Sequence, residues 1–206
     1  MQRGSADRQP GEGRSLARLG PAAVIVTGPP ASGKTTLATT LASSMRYAIV
    51  DLDTVTGPLT RAALRLSGGD EAAIDSPAGA ALRAARYETL LDVAATNLAV
   101  GIGVVIAAPF TAERSSGEDF AEVVRRLGVG DCVSLVYIDT PEHIARSRLA
   151  SRNAPRDRDK LMGQGDGTRS RAIPPAAIVV DGEKGLADQL RQVLDALHGT
   201  SKAAAC

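Results

Sequence analysis

Short continuous apolar runs alternate along this chain with longer stretches in which apolar residues recur every three or four positions. Runs without polar alternation are typical of strands that are buried on both faces of a parallel sheet. The longer stretches have the periodicity of helices that cover such a sheet. The predicted strands are Ala23–Thr27, Tyr47–Val50, Val104–Ala107, Val133–Ile138 and Ala177–Val180.

Capping and turn residues mark the ends of the predicted helices. The series Ser115-Ser116-Gly117-Glu118 has the form of a capping box, and Gly128 is suited to end the helix that follows it. Five helices are predicted. The first is Lys34–Ser44, the second begins at Ser76-Pro77 and runs to about Leu98, and the third ends at Gly128. The fourth begins at Thr140-Pro141 and runs to about Arg152, and the fifth is Leu186–Leu197. Five strands separated by helices predict a doubly wound α/β fold with right-handed crossovers.

The two ends of the chain lack these patterns. Residues 1–20 are polar and rich in glycine, arginine and serine, so we expect a flexible leader there. Residues 200–206 are expected to form a disordered tail. The chain between them, residues 21–199, has the size of one ordinary domain.

Composition narrows the classes of function. The formal net charge of +1 provides no basic field of the kind that nucleic-acid binding needs, so no nucleic-acid partner is expected. No apolar run approaches the roughly 20 residues of a membrane span, and the leader lacks the apolar core of a secretory signal. The two cysteines, Cys132 and Cys206, give no disulfide framework. We therefore expect a reduced, cytoplasmic protein in which Cys132 is a small core residue.

The turn between the first strand and the first helix carries the clearest chemistry. It reads Gly28-Pro29-Pro30-Ala31-Ser32-Gly33-Lys34-Thr35, which matches G-x-x-x-x-G-K-[ST] in the strand-to-helix setting that this motif requires. Its glycines allow backbone N–H groups to point at a phosphate, and the helix N-terminus adds partial positive charge. Lys34 is expected to reach the β- and γ-phosphates, Thr35 to bind Mg²⁺, and Thr36 to contact the α-phosphate.

Two aspartates follow the second apolar run. Side chains two positions apart on an extended segment point the same way, so Asp51 and Asp53 are predicted to face one side at the carboxyl end of the strand. Ligands of open parallel α/β sheets bind at that edge. One carboxylate is suited to hold Mg²⁺ through water, and the other is suited to accept a proton from a substrate hydroxyl.

A basic stretch follows the fourth predicted strand. Arg148 and Arg152 are four residues apart and share a helix face, and positive groups stabilise the charge that develops during phosphoryl transfer. Pro155 ends this helix and three glycines lie between Gly163 and Gly167, which together predict a mobile lid. For the neighbouring Arg146, Arg156 and Arg158, a solvated arginine-rich surface explains the pattern equally well.

These three motifs together resemble the small P-loop kinases, a group that includes the adenylate kinase, shikimate kinase, gluconate kinase and chloramphenicol phosphotransferase families. The similarity spans about residues 22–198, and the P-loop is its specific part. The resemblance implies a three-layer fold with sheet order 2-3-1-4-5 and a lid over residues 153–172. It also implies an ATP-dependent phosphotransferase that moves the γ-phosphoryl group of ATP–Mg²⁺ to the hydroxyl of a small molecule.

The resemblance further implies roles for individual residues. Arg148 would lie against the adenine, Arg152 would contact phosphates, and Asp53 would face the acceptor hydroxyl. Residues 54–98 would form the substrate-binding region. Its candidate contacts, together with one at the end of the third strand, are Arg83, Arg86, Tyr87 and Phe110. An exposed arginine-rich helix face and a plain strand-end turn explain these four residues equally well.

The chain departs from the pattern of this group in ways that leave the acceptor open. The third strand has no terminal acidic residue, so the metal role falls to Asp51. Neither the later glycine motif of shikimate kinases nor the lid signature of gluconate kinases is present. An antibiotic, a sugar-like metabolite and a sugar nucleotide all remain candidate acceptors.

Two other classes of protein also bind nucleotides through a P-loop. A GTPase would require the motif N-K-x-D, and Asn97 and Asn153 are followed by leucine and alanine instead. A regulatory or mechanical ATPase remains open, because Asp139 after the fourth strand is placed to serve as its acidic residue. The sequence does not distinguish a monomer from a homodimer.

Overall fold

The computed structural model describes residues 22–68, 77–152, 173 and 176–201. Its centre is a five-stranded sheet in which every neighbouring pair of strands is parallel. The strand order is β2-β3-β1-β4-β5, which confirms the predicted topology and places β1 in the middle of the sheet. The strands are β1 (Ala23–Thr27), β2 (Ala48–Asp51), β3 (Val104–Ala107), β4 (Val133–Asp139) and β5 (Ile178–Asp181).

Six α-helices connect or flank these strands within the described residues. They are α1 (Lys34–Met45), α2 (Leu52–Leu66), α3 (Pro77–Ala99), α4 (Gly117–Leu127), α5 (Glu142–Arg152) and α6 (Leu186–Ser201). The helix α2 has no counterpart among the predicted helices, since Gly57 and Pro58 fall inside it and are typical of turns. The carboxylate of Asp51 caps α2 by accepting a hydrogen bond from the backbone N–H of Thr54.

The helices lie on both faces of the sheet, which gives the three layers that the resemblance implies. On one face, Ile25, Ile106 and Leu135 pack with apolar residues of α3 and α4. On the other face, Val26 and Ile138 pack with apolar residues of α1 and α6. All five residues of β1 are buried, as expected for a central strand covered on both sides. The end of β1 is therefore a rigid base for the turn that follows it.

Two local predictions differ from the structure at helix starts. The cap of α4 is Ser116, whose hydroxyl accepts from the N–H of Asp119, and not Ser115, which belongs to a short 3₁₀ turn. Thr140 precedes α5, but its hydroxyl is buried and finds no hydrogen-bond partner among the residues that the structure describes. Both differences are shifts in capping at helices that do form where the sequence predicts them.

The ends of the chain and the segment after α5 bear on other predictions. The helix α6 extends past the predicted Leu197 to Ser201. The leader, residues 153–172 and the rest of the tail lie outside the described residues. Cys132 is disulfide-bonded, which corrects the expectation that the cysteines are reduced, since two isolated cysteines carry no spacing that indicates pairing. No helix in the described ranges is both long enough and apolar enough to cross a membrane.

Candidate active site

The phosphate-binding motif forms the turn from β1 into α1 at the middle of the sheet. Gly28 adopts a positive φ of 151°, and a Cβ at this position would lie 2.7 Å from the carbonyl oxygen of Ile138. No side chain fits at that distance, so glycine is required for the loop to pass β4. Gly33 caps α1 with a φ of 96°, and Ala31 also has a left-handed backbone. The loop thus wraps around the N-terminus of α1, as binding of an anion there requires.

Lys34 lies back across its own loop. Its ammonium donates hydrogen bonds to the carbonyl oxygens of Gly28, at 3.1 Å, and of Pro29, at 2.7 Å. An ammonium has three N–H groups and no acceptor, so these carbonyls hold a compact positive charge at the mouth of the loop. Phosphate oxygens that enter the loop would meet this charge directly.

The hydroxyl of Thr35 donates a hydrogen bond of 3.0 Å to Oδ2 of Asp51. The other carboxylate oxygen of Asp51 accepts from the N–H and the hydroxyl of Thr54, at 2.9 and 3.0 Å. Asp51 is buried, and these contacts fix its carboxylate against the first turn of α1. A hydroxyl and a carboxylate held side by side suit Mg²⁺, which takes few protein oxygens and completes its shell with phosphates and water.

Asp53 does not share a strand face with Asp51, contrary to the prediction. Because α2 begins at Leu52, Asp53 lies in the first turn of a helix. Its carboxylate accepts a hydrogen bond of 2.6 Å from Arg86 on α3, and the Nε–H of Arg86 donates to the Thr56 hydroxyl at 2.9 Å. Arg86 is largely buried whereas Asp53 is about half exposed, with side-chain exposures of 12% and 53%. The two aspartates therefore belong to two separate clusters at the same edge of the sheet.

The segment after β3 is fixed between β1 and α3. The Thr27 hydroxyl donates to the carbonyl oxygen of Pro109 at 2.5 Å, and the backbone N–H of Phe110 donates to the Tyr87 hydroxyl at 3.0 Å. The rings of Tyr87 and Phe110 meet edge to face, with centroids 5.3 Å apart. Phe110 is fully buried and has a φ of 45°, a strained conformation for a non-glycine residue. Burial, and to a lesser extent the Glu113 carboxylate, raise the pKa of Tyr87 to about 12.

A cavity of about 410 Å³ opens beside the phosphate-binding loop, on the side that faces α5 and α6. The loop and α1 form one wall, α5 forms the second, and the segment from β5 into α6 forms the third. The lining residues are Ala31, Ser32, Gly33, Thr36, Ser147, Arg148, Ser151, Lys184, Leu186 and Gln189. A purine base with its ribose fits a cavity of this size and polarity.

Arg148 joins two walls of this cavity. Its guanidinium donates to the carbonyl oxygen of Gly182 at 3.0 Å and lies 3.5 Å from that of Ala31. A Cβ on Gly182 would lie 2.1 Å from the Thr140 hydroxyl, so only glycine lets this wall approach β4. Because the edge of the guanidinium is held by carbonyls, its planar face is suited to stack against a flat ring.

Several predicted site residues lie at the margin of these clusters or outside the described part. Arg83 lies 5.4 Å from the centre of the Tyr87 ring on the exposed side of α3. Arg146 pairs with Glu142 at 3.2 Å on the exposed surface of α5, as the alternative of a solvated helix face requires. Arg152 ends α5, but its side chain, like Arg156 and Arg158, is outside the described residues.

The sequence motifs do not indicate four of the residues that take part in these contacts. Thr54 and Thr56 hold the two aspartate clusters, Gly182 accepts a hydrogen bond from Arg148, and Gln189 lines the cavity. The threonines follow the Asp-x-Asp pattern within a helix that the sequence did not predict. Gly182 follows the aspartate that ends β5, and a glycine after a predicted strand at the ligand-binding edge is the signal that points to it.

The loop, the Thr35–Asp51 pair and the cavity beside Arg148 together define a P-loop nucleotide-binding protein. A family model described as an AAA domain matches residues 24–172, and the chain belongs to this AAA domain family. No curated protein matches the sequence.

Solved structures of small-molecule kinases share the fold. A gluconokinase from Sinorhizobium meliloti 1021 is 16% identical with a TM-score of 0.58, over 89% of this chain and 95% of that one. A shikimate kinase from Aquifex aeolicus is 21% identical with a TM-score of 0.57, over 88% and 99%. A sugar kinase from Janibacter sp. HTCC2649 is 19% identical with a TM-score of 0.58, over 86% and 95%. The predicted resemblance to small P-loop kinases is thereby confirmed at the level of the fold.

Proposed function

We propose that this protein is an ATP-dependent phosphotransferase that moves the γ-phosphoryl group of ATP–Mg²⁺ to the hydroxyl of a small molecule. The names of the structural neighbours, a gluconokinase, a shikimate kinase and a sugar kinase, support this class of reaction. An antibiotic and a sugar-like metabolite are the candidate acceptors. In the transfer, the hydroxyl oxygen bonds to the γ-phosphorus as the β–γ bridging bond breaks, and the hydroxyl proton passes to a base.

The separation of the two carboxylates is the observation that carries the proposal. Asp51 contacts Thr35 at 3.0 Å beside the P-loop, whereas Asp53 contacts Arg86 at 2.6 Å on the acceptor side. In the proposed reaction Asp51 and Thr35 hold Mg²⁺, which neutralises phosphate charge when it is bound. Asp53 is exposed enough to receive a proton from the acceptor, and Arg86 fixes its orientation.

The proposal extends to the remaining nucleotide contacts. Backbone N–H groups of the loop and the ammonium of Lys34 bind the β- and γ-phosphates, and Thr36 at the start of α1 contacts the α-phosphate. Arg148 stacks on the base in the cavity that it lines. Arg152 is proposed to stabilise the transferring group, with residues 153–172 closing over it as a lid.

The acceptor side is proposed to consist of α2, α3 and the segment after β3. Arg86 binds Asp53, while Tyr87 and Phe110 form a buried apolar wall that fixes the segment after β3. Arg83 lies at the outer edge of this wall, where its exposed guanidinium can meet a polar group of the acceptor. Residues 54–98 thus form the substrate-binding region in this proposal.

Mass spectrometry of a hydroxyl-containing compound library incubated with protein, ATP and Mg²⁺ tests the proposal. We expect at least one compound to gain the mass of one phosphate, and the gain to disappear in Asp53→Asn. Rapid release of inorganic phosphate that no compound alters would instead support a regulatory or mechanical ATPase. Asp139, exposed at the end of β4 beside β1, would then be the acidic residue to test.

A further inference from the structure

We propose that Gln189 selects adenine over 6-oxopurines, by accepting a hydrogen bond from the 6-amino group of the base. This inference rests on the proposed function, because it requires a purine nucleotide in the cavity beside Arg148. Gln189 lies in the first turn of α6, lines that cavity, and is only 7% exposed. A buried side chain with a full set of polar atoms is well placed to distinguish one base from another.

The orientation of the Gln189 amide is fixed by its neighbours. Its side-chain nitrogen lies 2.8 Å from the carbonyl oxygen of Lys184. A carbonyl oxygen only accepts hydrogen bonds, so the NH₂ end of the amide must face Lys184 and the oxygen must lie at the other position. The backbone N–H of Gln189 donates to Gly185 at 3.1 Å, which holds the residue against the segment that forms this wall.

The amide oxygen of Gln189 is the group left for a ligand. Within the described part of the chain it receives no hydrogen bond. This oxygen is not fully enclosed by protein atoms, so a ligand can reach it. Arg148 and Lys184, the charged residues of the lining, are donors only, so they do not replace this acceptor.

The substituent at the purine 6-position decides whether the base can donate a hydrogen bond to this amide oxygen. Adenine carries an amino group there, which donates to the amide oxygen. Hypoxanthine and guanine carry an oxo group there, which would place two acceptors against each other. An unmatched buried polar group weakens binding by about tenfold or more.

Calorimetric titration with ATP and inosine triphosphate, each with Mg²⁺, tests the inference, because the two nucleotides differ only at the 6-amino group and the adjoining ring nitrogen. We expect the wild type to prefer ATP by about tenfold or more. Gln189→Met preserves the length of the side chain and removes both polar ends. We expect this variant to lose most of the preference, through weaker binding of ATP and little change for inosine triphosphate.

Gln192→Met is the matched control. Gln192 lies three residues further along α6, and its side-chain nitrogen also donates to a backbone carbonyl, that of Val179, at 2.7 Å. It is exposed and does not line the cavity, so this variant should keep the wild-type preference. Inorganic tripolyphosphate, which has no base, should bind all three proteins equally and so report an intact loop.

Each other outcome has a definite meaning. Equal binding of the two triphosphates by the wild type overturns the inference, as does an equal loss for both in Gln189→Met while tripolyphosphate still binds. A loss of preference in Gln192→Met would also overturn it. If neither triphosphate binds the wild type, the proposed function itself is wrong.

Discussion

The ammonium of Lys34 donates hydrogen bonds to two carbonyl oxygens of its own loop. These contacts hold the ammonium at the mouth of the loop, where an incoming phosphate would meet it. Similarly, Asp51 is ordered by Thr35 and Thr54 before any metal arrives. At the residue scale the proposed phosphate site is therefore organised in advance.

Lys34→Ala should abolish phosphoryl transfer and leave the fold intact. We expect kcat to fall by about 100-fold or more, because a charge that contacts the transferring group is lost. The free energy of unfolding should change by about 1 kcal/mol or less, which chemical denaturation measures. Arg125→Ala removes an exposed cation on α4 that does not line the cavity, so this control variant should retain nearly full activity. Wild-type turnover in Lys34→Ala would refute the phosphate-binding role.

Substitution of each of the two aspartates should affect a different kinetic quantity, because their side chains have different partners. Asp53→Asn should lower kcat by about 100-fold or more while ATP–Mg²⁺ binding survives, because the variant loses a proton acceptor. Asp51→Asn should raise the Mg²⁺ concentration required for half-maximal activity, and its amide oxygen can still cap α2. Steady-state kinetics over a Mg²⁺ series, with nucleotide binding measured separately, distinguishes these effects. Equal losses of nucleotide affinity in both variants would contradict the assignment.

The residue-scale predictions from sequence succeed where one backbone conformation dictates the residue types. Gly28 and Gly33 of the P-loop are of this kind, because the turn requires their backbone conformation, whereas the phosphate-binding role of Lys34 stays a prediction. The geometry of Asp53 was wrong because α2 replaces the extended segment on which the prediction relied. No spacing rule links Asp53 to Arg86, which is 33 residues away, since α2 and α3 must first pack to bring them together.

At the scale of elements, α3 connects the sheet to the proposed acceptor side through Tyr87. Its apolar residues pack on β1 and β3, while the Tyr87 hydroxyl holds the backbone of Phe110. The same segment is held from β1 by Thr27. The strained conformation of Phe110 thus persists because contacts from two elements fix it.

Tyr87→Phe should destabilise the protein by about 1–3 kcal/mol at pH 7, because the buried N–H of Phe110 loses its acceptor. The difference should shrink as the pH rises from 10 towards 12. Over that range the unfolded tyrosine, with a pKa of 10, ionises while the folded one, with a pKa of about 12, remains protonated, so the wild type loses stability. Denaturation of both proteins at pH 7 and pH 11 measures this convergence. A difference independent of pH would show that the hydroxyl does not titrate as burial predicts.

At the scale of the whole molecule, the strands were predictable from apolar runs and their order from the resemblance to small P-loop kinases, but the cavity was not predictable. Continuous apolar runs locate all five strands to within a residue at each end, because strands covered on both faces admit few polar residues. The cavity depends instead on the approach of three distant segments, from the P-loop, α5 and the start of α6. Such an approach leaves only weak traces in the sequence, such as the glycine at position 182.

The kinase and ATPase alternatives differ in whether water is excluded from the phosphate site before an acceptor binds. A kinase excludes water until the acceptor is bound, because water competes with the acceptor hydroxyl. ATP hydrolysis without acceptor should therefore be slow, and residues 153–172 should gain hydrogen-exchange protection only with a non-hydrolysable ATP analogue and acceptor together. Arg152→Ala should lower kcat far more than it weakens ATP binding. Fast hydrolysis with equal protection in every state would favour the ATPase.

The position of β1 has a consequence for how such a protein diversifies. The cavity beside Arg148 lies on the β4–β5 side of this central strand, and the Asp53–Arg86 pair lies on the β2–β3 side. Among the described residues, the two sides come from separate stretches of the chain, which meet at the P-loop and the end of β1. Under the proposed function, substitutions in α2 and α3 would change the acceptor while the cavity beside Arg148 stays unchanged. In this fold, a new specificity does not require the reinvention of the phosphate donor site.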